Sequence, residues 1–135
     1  MNEAKRLSLT KIYLWIAAIF LLFWSPLSHW VYPDFYHYTI FGFESYDEAL
    51  IKVIGTISFI PTLLLFFSAL NPVRNRDSVK TLIIAGFLMS ATYIYLINFG
   101  GFPVGEYFNA GLMGAMAVSL WLIYPWNLNQ IPTSS

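Results

Sequence analysis

Few side chains in this sequence are equipped for chemistry, and they crowd into two stretches. His29 and His37 are its two histidines. Asp34 lies three residues before His37, so the two can meet on one helical turn, and His29 joins them if the segment folds back. Two imidazoles and a carboxylate are competent to hold zinc, copper or iron, which makes His29, Asp34 and His37 the candidate metal ligands. Their spacing matches no metal motif, and an interfacial histidine bonded to water or a carbonyl is the plainer reading, so the expectation is that no metal is bound. The second stretch runs from Asn98 to Asn109 and carries Glu106 and Tyr107. With Lys52 it supplies the remaining polar groups, and His37, Lys52, Asn98 and Tyr107 are the candidate donors to the carbonyls of a quinone in an apolar pocket.

Other chemistries are closed by composition. The chain has 135 residues and no cysteine, which removes disulfides, thiol nucleophiles, thiolate zinc sites, cysteine-ligated iron–sulfur clusters and covalent c-type haem. No nucleophile–base pair or Gly-rich phosphate loop is recognisable, so no catalytic residue is assigned and a non-enzymatic role is expected.

The elements that must position these residues are set by an apolar excess. Apolar residues make up 58% of the chain and charged ones 10%, against roughly 45–50% and about 25% in soluble domains. Four apolar stretches are bounded by Pro, Gly, Asn or charge, and about 20 helical residues cross a bilayer. The sequence predicts an all-α integral membrane four-helix bundle forming one domain over 1–135. Its helices run over about 9–24 (extending to Trp30 past Pro26), 46–70, 78–99 and 107–126, and a polar tail covers 127–135.

Cations order the topology. Lys5, Arg6 and Lys11 precede the first span, and Arg74, Arg76 and Lys80 surround the turn between the second and third. The two outer connections carry Asp34, Glu44, Asp47, Glu48 and Glu106 instead. By the positive-inside rule both termini face the cytoplasm in a multi-pass cell-membrane protein, with a bacterial inner membrane expected. Arg74, Arg76 and Lys80 are then candidates for anionic lipid headgroups. The first helix is expected to be retained, because bulky residues around Pro26 make a poor signal-cleavage site.

Several residues have structural readings. Ser45-Tyr-Asp-Glu48 has capping-box spacing, and Asp77-Ser78 is a plausible start for the third helix. Lys52 lies inside the second helix and is expected to snorkel outward toward Glu48, or else to be the one cation of an acidic vestibule. Pro61 predicts a kink that frees the Ile57 carbonyl, with Ser58 or Thr62 helping to satisfy the backbone. Gly55, Ser58, Thr62 and Ala69 share one face, and Gly86/Ser90, Ala110/Gly114 and Gly111/Ala115/Ser119 repeat the small-residue spacing that lets helices approach in lipid. Those faces serve packing within the bundle or a homo-oligomer seam, and the spacing does not separate the two.

Nine aromatic residues fall between Trp24 and Tyr46 inclusive, too many for a freely solvated loop. An aromatic-rich cap over residues 25–45, covering the outer mouth between the first and second helices, is expected. Apart from Lys52 near one end, no Asp, Glu, His, Lys or Arg lies deep in any predicted span, which argues against a proton-driven pump.

The basic N-terminus, the long outer connection with Tyr32-Pro33, the Asn71-Pro-Val-Arg-Asn-Arg76 turn and the Gly100-Gly-Phe-Pro103 turn together have a familiar layout. In it the chain resembles the broad group of small bacterial four-helix membrane proteins that includes the DoxX-like and BphX-like families. The resemblance covers most of the chain and assigns no functional residue. It implies a membrane bundle, in a group some of whose members are associated with redox or quinone metabolism.

Three functions follow as expectations. The first is an accessory membrane protein that associates with lipids, further copies of itself or a larger membrane complex, and not with nucleic acid. The second is a quinone-handling or redox-associated subunit. The third is a passive small-solute transporter with a polar path through Ser58, Thr62, Ser90 and Thr92.

Overall fold

The computed structural model describes residues 2–127, and all its regular elements are helical. The tail expected over 127–135 lies outside the described residues except for Asn127. Helix α1 spans Glu3–Trp24. It starts a turn and a half before the apolar run, because the Asn2 side chain caps it by accepting from the Lys5 N–H at 2.9 Å. Pro26 ends it and opens the short α2, Pro26–Val31, where a residue without an N–H is tolerated.

A π-helical turn follows over Phe35–Ile40, and Gly42, at φ +70°, releases the chain from it. The next helix begins at Glu48 and not through the expected capping box. Asp47 is the cap, accepting from the Leu50 N–H at 3.0 Å, while Glu48 turns to Lys52 at 2.6 Å. A carboxylate at the cap also complements the helix dipole, which favours Asp47 over Ser45.

The predicted second helix is broken into α3, Glu48–Ile57, and α4, Phe59–Leu70, at Ser58. Pro61 is the cause, since its ring displaces the preceding turn. The hydroxyls act there, but on other carbonyls than expected. Ser58 donates to Gly55 O at 2.8 Å and Thr62 to Ser58 O at 2.9 Å.

Helix α5 spans Arg76–Phe99, so its first residue precedes the expected Asp77-Ser78 start. The turn before it is tied by Asn71, which accepts from the Arg74 N–H, and by Asn75, which donates to Phe67 O at 2.8 Å. A 3₁₀ turn, Val104–Glu106, leads into α6, Tyr107–Ile123, which ends short of Pro125.

Three helical segments, Glu3–Val31, Glu48–Leu70 and Arg76–Phe99, are long and apolar enough to cross a membrane. At 17 residues α6 is shorter, about 25 Å. Each long helix touches two others: α5 packs most extensively on α6, α1 on α4, and the ring closes through α4–α5 and α1–α6 contacts.

The core mixes large side chains such as Leu14, Leu65 and Tyr124 with small ones, and the surface is rich in large apolar residues. Ala18, Ala69 and Ser68 are fully enclosed, whereas Ile16, Ile60, Ile84 and Leu88 are each at least 60% exposed. So much exposed apolar surface is the pattern of helices solvated by hydrocarbon. Gly86 lies against Ala117 and Gly114 against Ser90, so these small residues serve the α5–α6 seam, while Gly111 faces open space.

One end of the molecule gathers the cations. Arg6 donates to Leu122 O and Thr10 to Ile123 O, so α1 satisfies carbonyls at the end of α6. Tyr124 donates to Pro72 O at 2.9 Å, which brings the Arg74 turn to the same end.

Candidate functional site

The opposite end holds the histidines in a cluster of rings. The π-helical turn buries Tyr36 and His37 together, and the His37 ring meets His29 at 5.2 Å, Tyr46 at 4.9 Å and Phe43 at 5.3 Å between centroids. Both His37 ring nitrogens are buried without a hydrogen-bond partner. Burial, aided by the neighbouring His29, pulls the His37 imidazole down to about 4.

Asp34 does not join the histidines. It accepts from the Tyr46 hydroxyl, and that hydrogen bond pushes the phenol up to about 12. Among the described residues no three histidines or carboxylates are grouped to hold a metal.

An uncharged His37 sets an acid limit on stability. Unfolded, it titrates near 6.5; folded, near 4. Between those values the unfolded chain binds the extra proton, so stability falls as pH falls. His37→Phe keeps the aromatic packing and removes two unsatisfied nitrogens. It is expected to match or exceed the wild type by about 1 kcal/mol and to flatten the decline of the thermal midpoint between pH 7 and 5. Circular dichroism in detergent measures both.

Beside the rings lies a buried polar network that sequence reasoning did not assemble. The Asn109 amide accepts from Trp24 Nε1 at 2.8 Å and donates to Glu106 Oε2 at 2.6 Å and to the Tyr36 hydroxyl at 3.2 Å. Asn109 thereby links the ends of α1 and α6 through Trp24, and Glu106, at the N-terminus of α6, is only 3% exposed. Burial raises its carboxyl above the ordinary value, against the lowering effect of Asn109. Their i, i+3 spacing at the start of α6 was the available signal.

A cavity of about 490 Å³ lies between α1–α2, α3–α4, α5 and α6. Its walls are chiefly apolar, with Leu64, Leu82, Met89 and Met113 among them. Ile57, Ile60 and Met89 line it and are also exposed, so its mouth opens between α3–α4 and α5 on the flank of the molecule. A few polar side chains converge on it, notably Ser25, His29, Ser58 and Tyr93.

None of the four residues expected to serve a quinone lines this cavity. His37 is enclosed by rings. Lys52 pairs with Glu48 and stands 5.9 Å over the Trp30 ring, beside a shallower groove with Val53 and Thr56. Asn98 and Tyr107 are exposed and bond to one another at 3.1 Å. His29 does line the cavity, held by a close approach: a Cβ on Gly55 would lie 2.8 Å from His29 Cβ, so only glycine lets α2 rest on α3.

The residues of the expected solute path are spent locally. Ser58, Thr62 and Thr92 each donate to a carbonyl of their own chain three or four residues back, and of the four only Ser58 lines the cavity. Of the candidate headgroup cations, Arg74 is exposed and Lys80 pairs with Asp77 at 3.0 Å.

No protein-family profile, characterised protein or solved structure matches the chain.

Proposed function

We propose that the chain is a multi-pass membrane protein, four helices across the bilayer with both termini cytoplasmic, whose cavity holds an apolar ligand of the quinone class drawn sideways from the lipid. The observation that carries this reading is the cavity itself. Its volume falls within the range of roughly 300–1,000 Å³ typical of small-molecule sites, its walls are apolar, a few polar groups converge, and its mouth faces the flank that lipid would cover. A ligand with an apolar tail reaches such a mouth without leaving the hydrocarbon.

The orientation is supported by the grouping of the N-terminal cations, the Arg74 turn and the end of α6 at one end, opposite Glu106 and Asp34. In that orientation Arg74, Arg76 and Lys80 meet anionic headgroups, each worth about 1 kcal/mol near the surface. The aromatic segment over 25–45 covers the outer end. On layout alone, the DoxX-like group is the proposed relationship, and an accessory role in a larger membrane complex fits a site with no assigned nucleophile.

Extraction of protein purified in mild detergent, followed by mass spectrometry, tests the reading. A quinone or similar prenyl-tailed molecule is expected near one per chain. Ala85→Trp, which places an indole into the cavity from α5, is expected to lower that occupancy at least tenfold. Equal recovery from both proteins, or none from either, overturns the proposal.

A further inference from the structure

The hydrogen-bonding polarity of the cavity selects an oxidation state of the ligand. His29 Nδ1 lies 2.7 Å from the Ser25 carbonyl. A carbonyl only accepts, and Ser28 Oγ, 3.0 Å from the same nitrogen, turns its own hydrogen to Trp24 O at 2.7 Å, so Nδ1 carries the proton and Nε2 of the neutral ring is left with a bare lone pair. His29 lines the cavity, and Nε2 is the nitrogen that remains for whatever enters it.

Other polar side chains of the wall are committed the same way. Tyr13 donates to Met116 O at 3.0 Å, Ser58 to Gly55 O at 2.8 Å and Thr81 to Asp77 O at 2.9 Å. Each has spent its hydrogen on the backbone and offers lone pairs alone to a ligand. Acceptors therefore outnumber the hydroxyls of Ser25 and Tyr93 on the same wall.

We infer that the cavity takes its ligand in the hydroxyl-bearing form, as a hydroquinone whose phenolic O–H donates to His29 Nε2, in preference to the quinone, which has no proton to give. The inference rests on the quinone-class reading above and sharpens it. A quinone seated there sets its carbonyl lone pairs against that of His29 and leaves both without a hydrogen bond. A hydroquinone satisfies His29 and still accepts from Tyr93 or Ser25. Gly55 keeps His29 in position, because α2 cannot approach α3 across a side chain.

Three probes of one shape separate the possibilities: a decyl-tailed benzohydroquinone, the matching benzoquinone and the hydroquinone dimethyl ether, each titrated calorimetrically under argon into the full chain in detergent. The hydroquinone is expected to bind at least tenfold tighter than either of the others, as one additional satisfied hydrogen bond implies. His29→Leu is expected to erase that preference, weakening the hydroquinone while the quinone, freed of the opposing lone pair, binds no worse; an unchanged circular-dichroism spectrum and thermal midpoint confirm that the variant is folded. The dimethyl ether makes the same test on the wild type, without any substitution. Equal affinity for all three probes overturns the inference and leaves the cavity reading standing. No binding of any of them overturns both.

Discussion

Replacing Asn109 by leucine is expected to cost about 3 kcal/mol or more of stability and to lower the thermal midpoint accordingly. The side chains are close in size, so packing changes little, but three groups lose their partner at once. Trp24 Nε1, the Tyr36 hydroxyl and Glu106 Oε2 all bond to this one amide. Each polar group left unsatisfied away from water costs about 1–3 kcal/mol. The loss should grow with pH. Burial raises the folded Glu106 carboxyl above its unfolded value, so stability is shed as pH rises through the folded pKa, and losing Asn109, which lowers that carboxyl, makes the variant shed more of it. Glu106→Gln supplies the control: it still accepts from Asn109, carries no charge, and should unfold with no alkaline decline from this site. Thermal unfolding in detergent from pH 5 to 9 distinguishes the two variants. If Asn109→Leu unfolds like the wild type at every pH, the network does not hold the histidine end together.

That network marks where the sequence stopped being legible. Helix content and apolar segments could be read because lipid and the helix period act residue by residue: runs without charge, proline and glycine at the ends. The grouping of cations was visible too, since Lys5, Arg6 and Lys11 fall in the first half of α1 and Arg74, Arg76 and Lys80 around the turn before α5, while most carboxylates fall between Asp34 and Glu48 and at Glu106. The outer site was not. Which histidine reaches the cavity depends on a π-helical turn at Phe35–Ile40 and on the contact of Gly55 with His29, across 26 residues of chain. Spacing cannot show either. Ser45 and Asp47 illustrate the same limit on a smaller scale: both carry a capping oxygen near a plausible helix start, and Asp47 is the one that caps it. Small-residue spacing announced close helix contacts without saying which were internal. Gly86 and Gly114 pack against α6 and α5 respectively, and Gly111 on the neighbouring face of α6 meets nothing within 4 Å.

The contrast between Gly86 and Gly111 gives the second large effect. Gly86→Val is expected to destabilise the protein by about 2–3 kcal/mol or more and to empty the cavity. A Cβ at position 86 would stand 2.9 Å from Ala117 Cβ and 3.2 Å from Met113 O, and neither can swing aside, because one is fixed to the backbone and the other is backbone. Overpacking a tight seam typically costs about 1–3 kcal/mol, and the added methyls of valine raise the demand. Helix propensity works the other way, since valine is a slightly better helix former than glycine, so a loss can only come from the seam. Gly86, Met113 and Ala117 also line the cavity, so parting α5 from α6 deforms the wall that grips the ligand. Gly111→Val adds the same side chain to the same helix pair where nothing opposes it, and is expected to unfold with the wild type. A changed sedimentation coefficient for that variant alone would identify its face as a contact between copies of the chain. Equal stability of the two valine variants would mean that α5 and α6 do not meet at Gly86, and the cavity beside them would have to be drawn again.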